Sequence, residues 1–450
     1  MHKDTCIEIR FFKLYILFFL VCLTGMYTHL HLYEKLNLQF FWYIIYLASF
    51  ILIILKFKQG LLFEPLFLLP SSYLFLIVFG TIFYHMIKGR TYNYDLLNLV
   101  GIGYLSLILG ILLTQNYCYI FGTKKAKEIR GVYHQIRSRF VVNGFILISL
   151  CATVLLFVKG GIPLLSKNIN EAKLKFFSGS GYLNVFFMGL TVFSLAMLYD
   201  ACVTNTKKRF YYSNLLAIII VIFLMITGYR AKTLIFIGEY ISLFLFIKRR
   251  TLSFRWFIIF CFIIISFIVV IGAYRRGSID ATSIITETGI AVAARPAMFE
   301  MITRNFNESK YFYGTRYFYD LKKLLPGSQT GANIDLKYEI FSNADKMPEL
   351  AGVTPSIIGE AYMNFGPTSI FWIMFILGVF IGLVYKHMKR KPSFMLCIFY
   401  FTLVFGMTGA VQSGVGTVMV HLIYKWIWIL IIGFFYEKRV YFNSIEDKIL

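Results

Sequence analysis

Apolar runs of about 20 residues recur along the whole of this 450-residue chain, and nothing constrains its fold more. Each run can cross the ~30 Å hydrocarbon core of a bilayer as a helix rising 1.5 Å per residue. Hydrocarbon offers a backbone no outside hydrogen-bond partner, so each run is predicted to be helical. Twelve spans are read, at roughly 11–30, 39–55, 66–87, 96–121, 140–158, 181–201, 213–228, 232–247, 256–274, 366–385, 393–411 and 417–436. The third is interrupted by Pro65 and Pro70. The seventh and eighth meet at Gly228-Tyr229-Arg230, as two helices with a tight turn or as one broken helix. The first run is too long for a secretory signal and has no small-residue cleavage site behind it, so it is read as retained. No lipidation signal is read at either end.

Alternate connectors are basic: Lys3/Arg10/Lys13, Lys56/Lys58, Lys124 through Arg139, Lys207-Lys208-Arg209, Lys248-Arg249-Arg250, Lys386 to Lys391, and Lys438-Arg439. Assigning them to the cytoplasm satisfies the positive-inside rule at every step and puts both termini inside. The net charge of +23 is thereby explained by topology rather than by nucleic acid. The seven cysteines show no metal, haem or disulfide spacing, and no phosphate-binding glycine loop is present. The expected fold is an all-α polytopic membrane protein of about 12 transmembrane helices. Its parts are a membrane domain over 1–274, a long external loop over 275–365, a second membrane segment over 366–436 and a cytoplasmic tail over 437–450. A loop of 91 residues this rich in aromatics is expected to hold short amphipathic helices at the membrane surface.

On the external side, arginines stand where the charge rule does not ask for them: Arg230, Arg275, Arg276, Arg295, Arg304 and Arg316. A guanidinium is a planar fork suited to phosphate. Arg304 can instead pair with Glu300 or Glu308, and Arg316 with Asp320, at helical spacing. Arg230 has no acid within four residues, and Arg295 is followed by Pro296. Glu360 lies among helix breakers where water meets an apolar span, a costly place for a carboxylate without a partner or a use. It can be a base, pair with an arginine, or cap the helix that begins nearby. Glu239 is mid-span and needs an internal partner, with Lys425 or Arg230 as candidates. His421 and Lys425 share one helix face behind the small-residue stretch Gln412 to Thr417.

Four short motifs carry a resemblance: Gly160-Gly161-Ile162-Pro163-Leu164-Leu165; Thr227-Gly228-Tyr229-Arg230; Gly314-Thr315-Arg316-Tyr317 with Leu325-Pro326 downstream; and Thr354-Pro355-Ser356 with Gly359-Glu360-Ala361-Tyr362 and Asn364-Phe365-Gly366. In this order, and on one side of a twelve-span frame, they resemble the O-antigen polymerases (Wzy family), the oligosaccharide repeat-unit polymerases. The likeness covers the chain after about residue 140; the first four spans match only in hydropathy. It implies a GT-C-like, metal-independent, inverting glycosyltransferase of the plasma (inner) membrane, needing no cofactor. Its substrates would be oligosaccharide repeats on undecaprenyl pyrophosphate, joined at the outer face into O-antigen or capsular polysaccharide. Membrane lipids and a chain-length regulator protein are the partners it suggests, and nucleic acid is not one.

Within that chemistry Glu360 is the expected base, with His421 as the alternative. Arg230 and Arg295, then Arg316 and Arg304, are the expected pyrophosphate donors, Arg230 also as a catalytic group. Glu239, Tyr362 and Asn364 are read as supporting residues, and no metal ligands are expected. Two other functions remain open: a lipid-linked oligosaccharide flippase or transporter, and an O-antigen ligase.

Overall fold

A bilayer leaves the backbone to satisfy itself, and the chain answers with helices. The computed structural model describes residues 64–88, 93–120, 132–136, 139–166, 181–248, 281–324, 331–341 and 353–440, with single positions at 45, 46, 48, 49, 172, 175 and 176. The expected spans 11–30 and 256–274 lie outside the described residues, as does most of 39–55.

The interrupted third span is a helix α1 (Pro65–Tyr73), a π-turn (Leu74–Val78) and a helix α2 (Phe79–Lys88). Pro70 sits inside α1, and the wider π-turn follows it directly. Next come α3 (Tyr94–Ile120), α4 (Arg139–Gly160), α5 (Gly181–Val203), α6 (Lys207–Ile226) and α7 (Arg230–Ile247). The junction between α6 and α7 is therefore a tight turn between two helices, made at Gly228 with φ +76°. After the long loop stand α12 (Pro367–Arg390), α13 (Phe394–Ser413) and α14 (Val415–Gly433), with the loop's own helices numbered α8 to α11 below.

Among the described residues, seven helices are long and apolar enough to cross a membrane: α3, α4, α5, α6, α12, α13 and α14. Helix α7 is set apart by its three charged residues, Arg230, Lys232 and Glu239. Of the most apolar stretch of α5, 83% is buried, against 28% for α4 and for α6. Hence α5 is a central helix, while α4 and α6 turn apolar side chains such as Val158 and Ile222 outward. Helices α3 and α12 approach backbone to backbone. A Cβ on Gly110 would lie 2.3 Å from the Phe375 carbonyl oxygen, and one on Gly378 2.3 Å from that of Leu107. Small residues allow such closeness, which is how helices gain contact in lipid. One antiparallel ribbon accompanies the helices, with β1 (Val132–Ile136) pairing β2 (Tyr436–Val440) in the register Val132↔Val440.

The long loop departs from the short amphipathic helices expected of it at the membrane surface. Its first helix, α8 (Ala281–Asn305), has 25 residues and runs against α2, where Gly80 admits the Val292 carbonyl and Pro296. Then follow a 3-10 turn (Glu308–Lys310), α9 (Thr315–Tyr319), a 3-10 turn (Asp320–Leu324), α10 (Ala332–Ile340) and α11 (Ser356–Phe365). Ile302, Phe306, Leu336, Ile340 and Met363 from α8, α10 and α11 bury one another in a core of their own. The aromatics Tyr311 and Phe312 pack onto that core. The loop thus forms a folded cap, joined to α12 through Gly366 at φ +80°.

Candidate functional site

Helix α11 is buried along nearly its whole length, and Glu360 within it is only 3% exposed. A buried carboxylate needs hydrogen-bond donors, and Glu360 finds them at the start of α14. Its oxygens accept the Val415 N–H in a short contact and the Gly416 N–H at 3.0 Å. Two of the N–H groups that any helix leaves open at its N-terminus are thereby satisfied, and the helix dipole favours the charge. A cap on the helix nearest in the chain is one of three roles that the sequence leaves open; the capped helix is instead one that begins 55 residues later. Glycine is required for the approach: a Cβ at Gly416 would stand 2.9 Å from Glu360 Oε1, and one at Gly414 3.0 Å from Oε2. Burial pushes the Glu360 carboxyl up to about 7, against the opposing pull of the Gly416 and Val415 N–H groups and of Arg316.

Two of the sequence motifs meet here. The Phe312 N–H donates to the Met363 carbonyl at 3.0 Å, and the Tyr313 N–H to that of Asn364 at 2.9 Å. The buried Asn364 side chain accepts from the Gly314 N–H at 3.0 Å and donates to the Glu360 carbonyl at 2.9 Å. Gly314, at φ +89°, makes the turn into α9 that carries Arg316 and Tyr317. Tyr362 is half-buried, edge-on to Phe299 and Tyr311 at centroid distances of 6.0 and 6.1 Å. Asn364 therefore joins the Gly314 turn to the Glu360 backbone, and Tyr362 packs against Phe299 and Tyr311.

The expected arginines are spread out. Arg316 is 4% exposed, donates to the Ala332 carbonyl at 2.5 Å and lies 5.2 Å from the Phe312 ring centroid. Burial lowers its pKa, while Glu339, Glu360, Asp320 and Asp335 pull the other way. The direct pairing with Asp320, one of two readings of Arg316, gives way to this network. Asp320 Oδ1 bonds Lys323 at 3.0 Å and the Ala332 N–H at 2.8 Å. Arg304 is exposed and paired with Glu300 at 2.5 Å, one helical turn away, as its spacing predicts. Arg295 donates to Thr354 Oγ1 at 3.0 Å, fastening α8 to the segment before α11, and burial lowers its pKa to about 10. Nine residues of helix separate Arg295 from Arg304, about 13 Å along the axis and on opposite faces. They cannot grip one phosphate pair together. Arg230 is the first residue of α7, and its side chain lies outside the described residues.

A second group of charges lies deeper. Lys425 donates to both oxygens of Glu239, at 2.6 and 2.9 Å, which fulfils the internal pairing expected of that acid. One turn nearer the start of α14, the Nδ1 of His421 is buried with no hydrogen-bond partner among the described residues. Lys232 from α7, Lys323 from the 3-10 turn after α9, and Lys425 all bear on this imidazole electrostatically. Lys232 also stands over the Tyr229 ring, 4.5 Å from its centroid. Sequence reasoning passed over Lys232 and Lys323. Lys232 had a signal, since it lies seven residues before Glu239 and so on the same helical face.

Among the described residues, no three His, Cys, Asp or Glu side chains gather as a metal ion would need. A family model described as "Putative O-antigen polymerase" matches residues 61–424. No curated protein and no solved structure matches the chain.

Proposed function

Because the chain belongs to the O-antigen polymerase family, we propose that it joins lipid-linked oligosaccharide repeat units at the outer face of the plasma (inner) membrane. The observation that carries this reading is Glu360, held by two motifs at the head of α14 with its carboxyl near 7. A base works best when its pKa lies close to the working pH. In the reaction, a hydroxyl of the incoming unit attacks C1 of the growing chain from the side opposite its diphosphate. The new O–C1 bond forms as the C1–O bond to the diphosphate breaks, inverting C1. The hydroxyl proton passes to Glu360, and undecaprenyl diphosphate departs as the anion. A diphosphate leaves without an acid to protonate it; fixed positive charge near it is what lowers the barrier, typically by about 3–4 kcal/mol per well-placed donor. No step asks for a metal or a cofactor.

The roles of the remaining side chains follow from their surroundings. Arg316, sunk among acids, steadies the Glu360 carboxylate and the turn before it, and Arg295 ties α8 to the strand of chain entering α11. Arg304 serves the cap through Glu300. Arg230, the first residue of α7, is the donor assigned to the diphosphate. The GT-C-like frame has both termini in the cytoplasm, the cap of 275–365 outside, and membrane segments before and after it.

The test is elongation by the purified full chain in detergent, given a short diphosphate-linked repeat with divalent metal chelated. A ladder of longer glycans is expected. Transport of a labelled lipid-linked repeat without any change in its length would mean a flippase. Transfer only to a lipid A core acceptor would mean a ligase.

A further inference from the structure

We propose that Tyr313, Phe318 and Phe365 form a glycan subsite beside Glu360, an aromatic platform on which sugars of the incoming repeat unit stack. The inference rests on the polymerase reading above and deepens it, by naming the side chains that hold the unit whose hydroxyl Glu360 deprotonates.

Short helix α9 has two unlike faces. Arg316 and, just past the helix end, Asp320 are buried on one of them. Thr315, Phe318 and Tyr319, at the i, i+3, i+4 spacing of the other, are exposed, Phe318 by 68%. Just before α9, Tyr313 is 69% exposed. Phe365, at the end of α11, is 44% exposed, and its ring abuts Gly314, where a Cβ would meet Phe365 Cζ at 3.1 Å. Aromatic rings thus lie uncovered on the two elements that bear on the Glu360 carboxylate. Their backbone is fixed and strained. Tyr313 holds φ +46°, a left-handed conformation that a bulky side chain rarely adopts. The Phe312 and Tyr313 N–H groups keep it there by donating to the Met363 and Asn364 carbonyls. Strain of this kind persists only where the surroundings over-determine it, and it gathers at ligand clamps and active sites.

The rim of the patch says what covers it. The Tyr313 hydroxyl donates to the Glu308 carbonyl at 3.2 Å, so its ring lies along the turn Asn307 to Lys310, whose four residues are all exposed. Sinking Tyr313 into lipid would take the charged Glu308 and Lys310 with it. Lys322 Nζ stands 3.7 Å from the Tyr319 ring centroid at the far end of α9. Rings bordered by hydroxyl, carbonyl and charged groups suit a ligand with apolar faces and polar edges. A pyranose is such a ligand: its C–H face stacks on an aromatic ring while its hydroxyls reach the rim. The position fits the acceptor, because the base takes its proton from the acceptor hydroxyl. A Cβ at Gly416 would stand 2.9 Å from Glu360 Oε1 and 3.0 and 3.1 Å from the Arg316 and Tyr317 carbonyl oxygens, so the carboxylate and the backbone entering Phe318 meet over one glycine. On α11, Phe365 follows Glu360 by five residues, about 7.5 Å along the axis and little more than the length of one sugar ring. Asn364 couples the two, accepting from the Gly314 N–H and donating to the Glu360 carbonyl. A repeat whose terminal sugar offers its hydroxyl to Glu360 lays its next sugar on the platform.

The experiment uses the full chain in nanodiscs and, as probe, one repeat oligosaccharide freed from its lipid diphosphate by mild acid. Saturation-transfer NMR measures its binding, and elongation of the intact lipid-linked repeat gives KM and kcat. Phe318→Ala and Tyr313→Asn each remove a ring, and asparagine tolerates the left-handed backbone at position 313. Each should weaken binding of the oligosaccharide about three- to tenfold, the scale of one stacked aromatic contact. KM should rise by a similar factor, with a smaller fall in kcat. Phe318→Tyr should restore most of the binding, and Glu360→Gln should keep the oligosaccharide bound while stopping elongation. Melting curves identify any variant that has lost its fold; should Tyr313→Asn do so, Phe318→Ala and its tyrosine rescue carry the test alone. Folded ring variants that bind and elongate as wild type does would overturn the platform. Quenching of the added fluorescence of Phe318→Trp by brominated lipid chains would overturn it too and make the patch a bilayer anchor. Ring-dependent binding in a protein that builds no ladder would leave the glycan subsite standing and remove the polymerase reading. A ladder with binding and KM indifferent to the rings would do the reverse.

Discussion

Glu360→Gln separates a working base from a mere helix cap, because the two roles predict opposite signs. Glutamine keeps the size of the side chain and offers an oxygen to α14, much as the protonated acid does. In the folded protein the carboxyl is held near 7, against an ordinary value of 4.5. Its ionised form therefore carries about 3 kcal/mol of destabilisation relative to its neutral form, at 1.36 kcal/mol for each pH unit. The sign follows from proton uptake. Between about 4.5 and 7 the folded state binds more protons than the unfolded one. The contribution of the neutral carboxyl is then complete below 4.5 and is lost as the pH rises through 7. The glutamine variant cannot ionise and keeps that contribution. At pH 8 it should be more stable than wild type, by up to about 3 kcal/mol; at pH 4.5 the two should match. Elongation should move the other way, falling by about 10²–10⁴-fold, the usual worth of a general base. In wild type, elongation should rise with pH through about 7 as the carboxylate forms. Melting of both proteins in detergent from pH 4.5 to 8, beside glycan ladders at each pH, provides the measurement. A glutamine variant less stable than wild type at pH 8, or one that still elongates, would refute the reasoning and leave Glu360 as a cap.

Two further outcomes are expected of the framework that holds the site. Glu239→Ala should destabilise the protein by about 3–5 kcal/mol, because it leaves the buried Lys425 ammonium unpaired, whereas the double change Glu239→Leu with Lys425→Met should recover most of that in a melting assay. Gly378→Ala should cost about 1–3 kcal/mol, since its Cβ would meet the Leu107 carbonyl of α3, while Gly144→Ala, with open space around it in α4, should be neutral or stabilising by up to about 1 kcal/mol.

Hydropathy made the spans legible because lipid imposes one rule on every residue within it. The described spans fall close to where the apolar runs put them, and Pro70 and Gly228 mark the irregular places. The pairing of Glu239 was legible for the same reason, as an ion in hydrocarbon has few choices of partner. The cap was not. Its core joins Ile302, Leu336 and Met363, residues far apart in the sequence with no shared period. Nor does any local pattern say that Glu360 reaches Val415 and Gly416. Only the small residues around Gly414 hinted that something approaches closely there. The roles of the arginines were not legible, because side-chain type says nothing of surroundings. Arg316 is permanently charged with five donors, which suits a fixed post among acids as well as it suits phosphate.

The brevity of the motifs has a structural reason. Glu360, Asn364, Gly314, Gly414 and Gly416 are the points where α9, α11 and α14 touch through backbone atoms, and there a changed side chain alters a hydrogen bond or a clearance of about 3 Å. Elsewhere in the spans most positions need only be apolar and of tolerable size, because lipid-facing side chains such as Val158 and Ile222 have no fixed partner to match. A chain built this way can drift widely in sequence while the junction of α9, α11 and α14 stays intact. The family resemblance therefore lives in a few short pieces, two of which meet where the carboxylate is gripped.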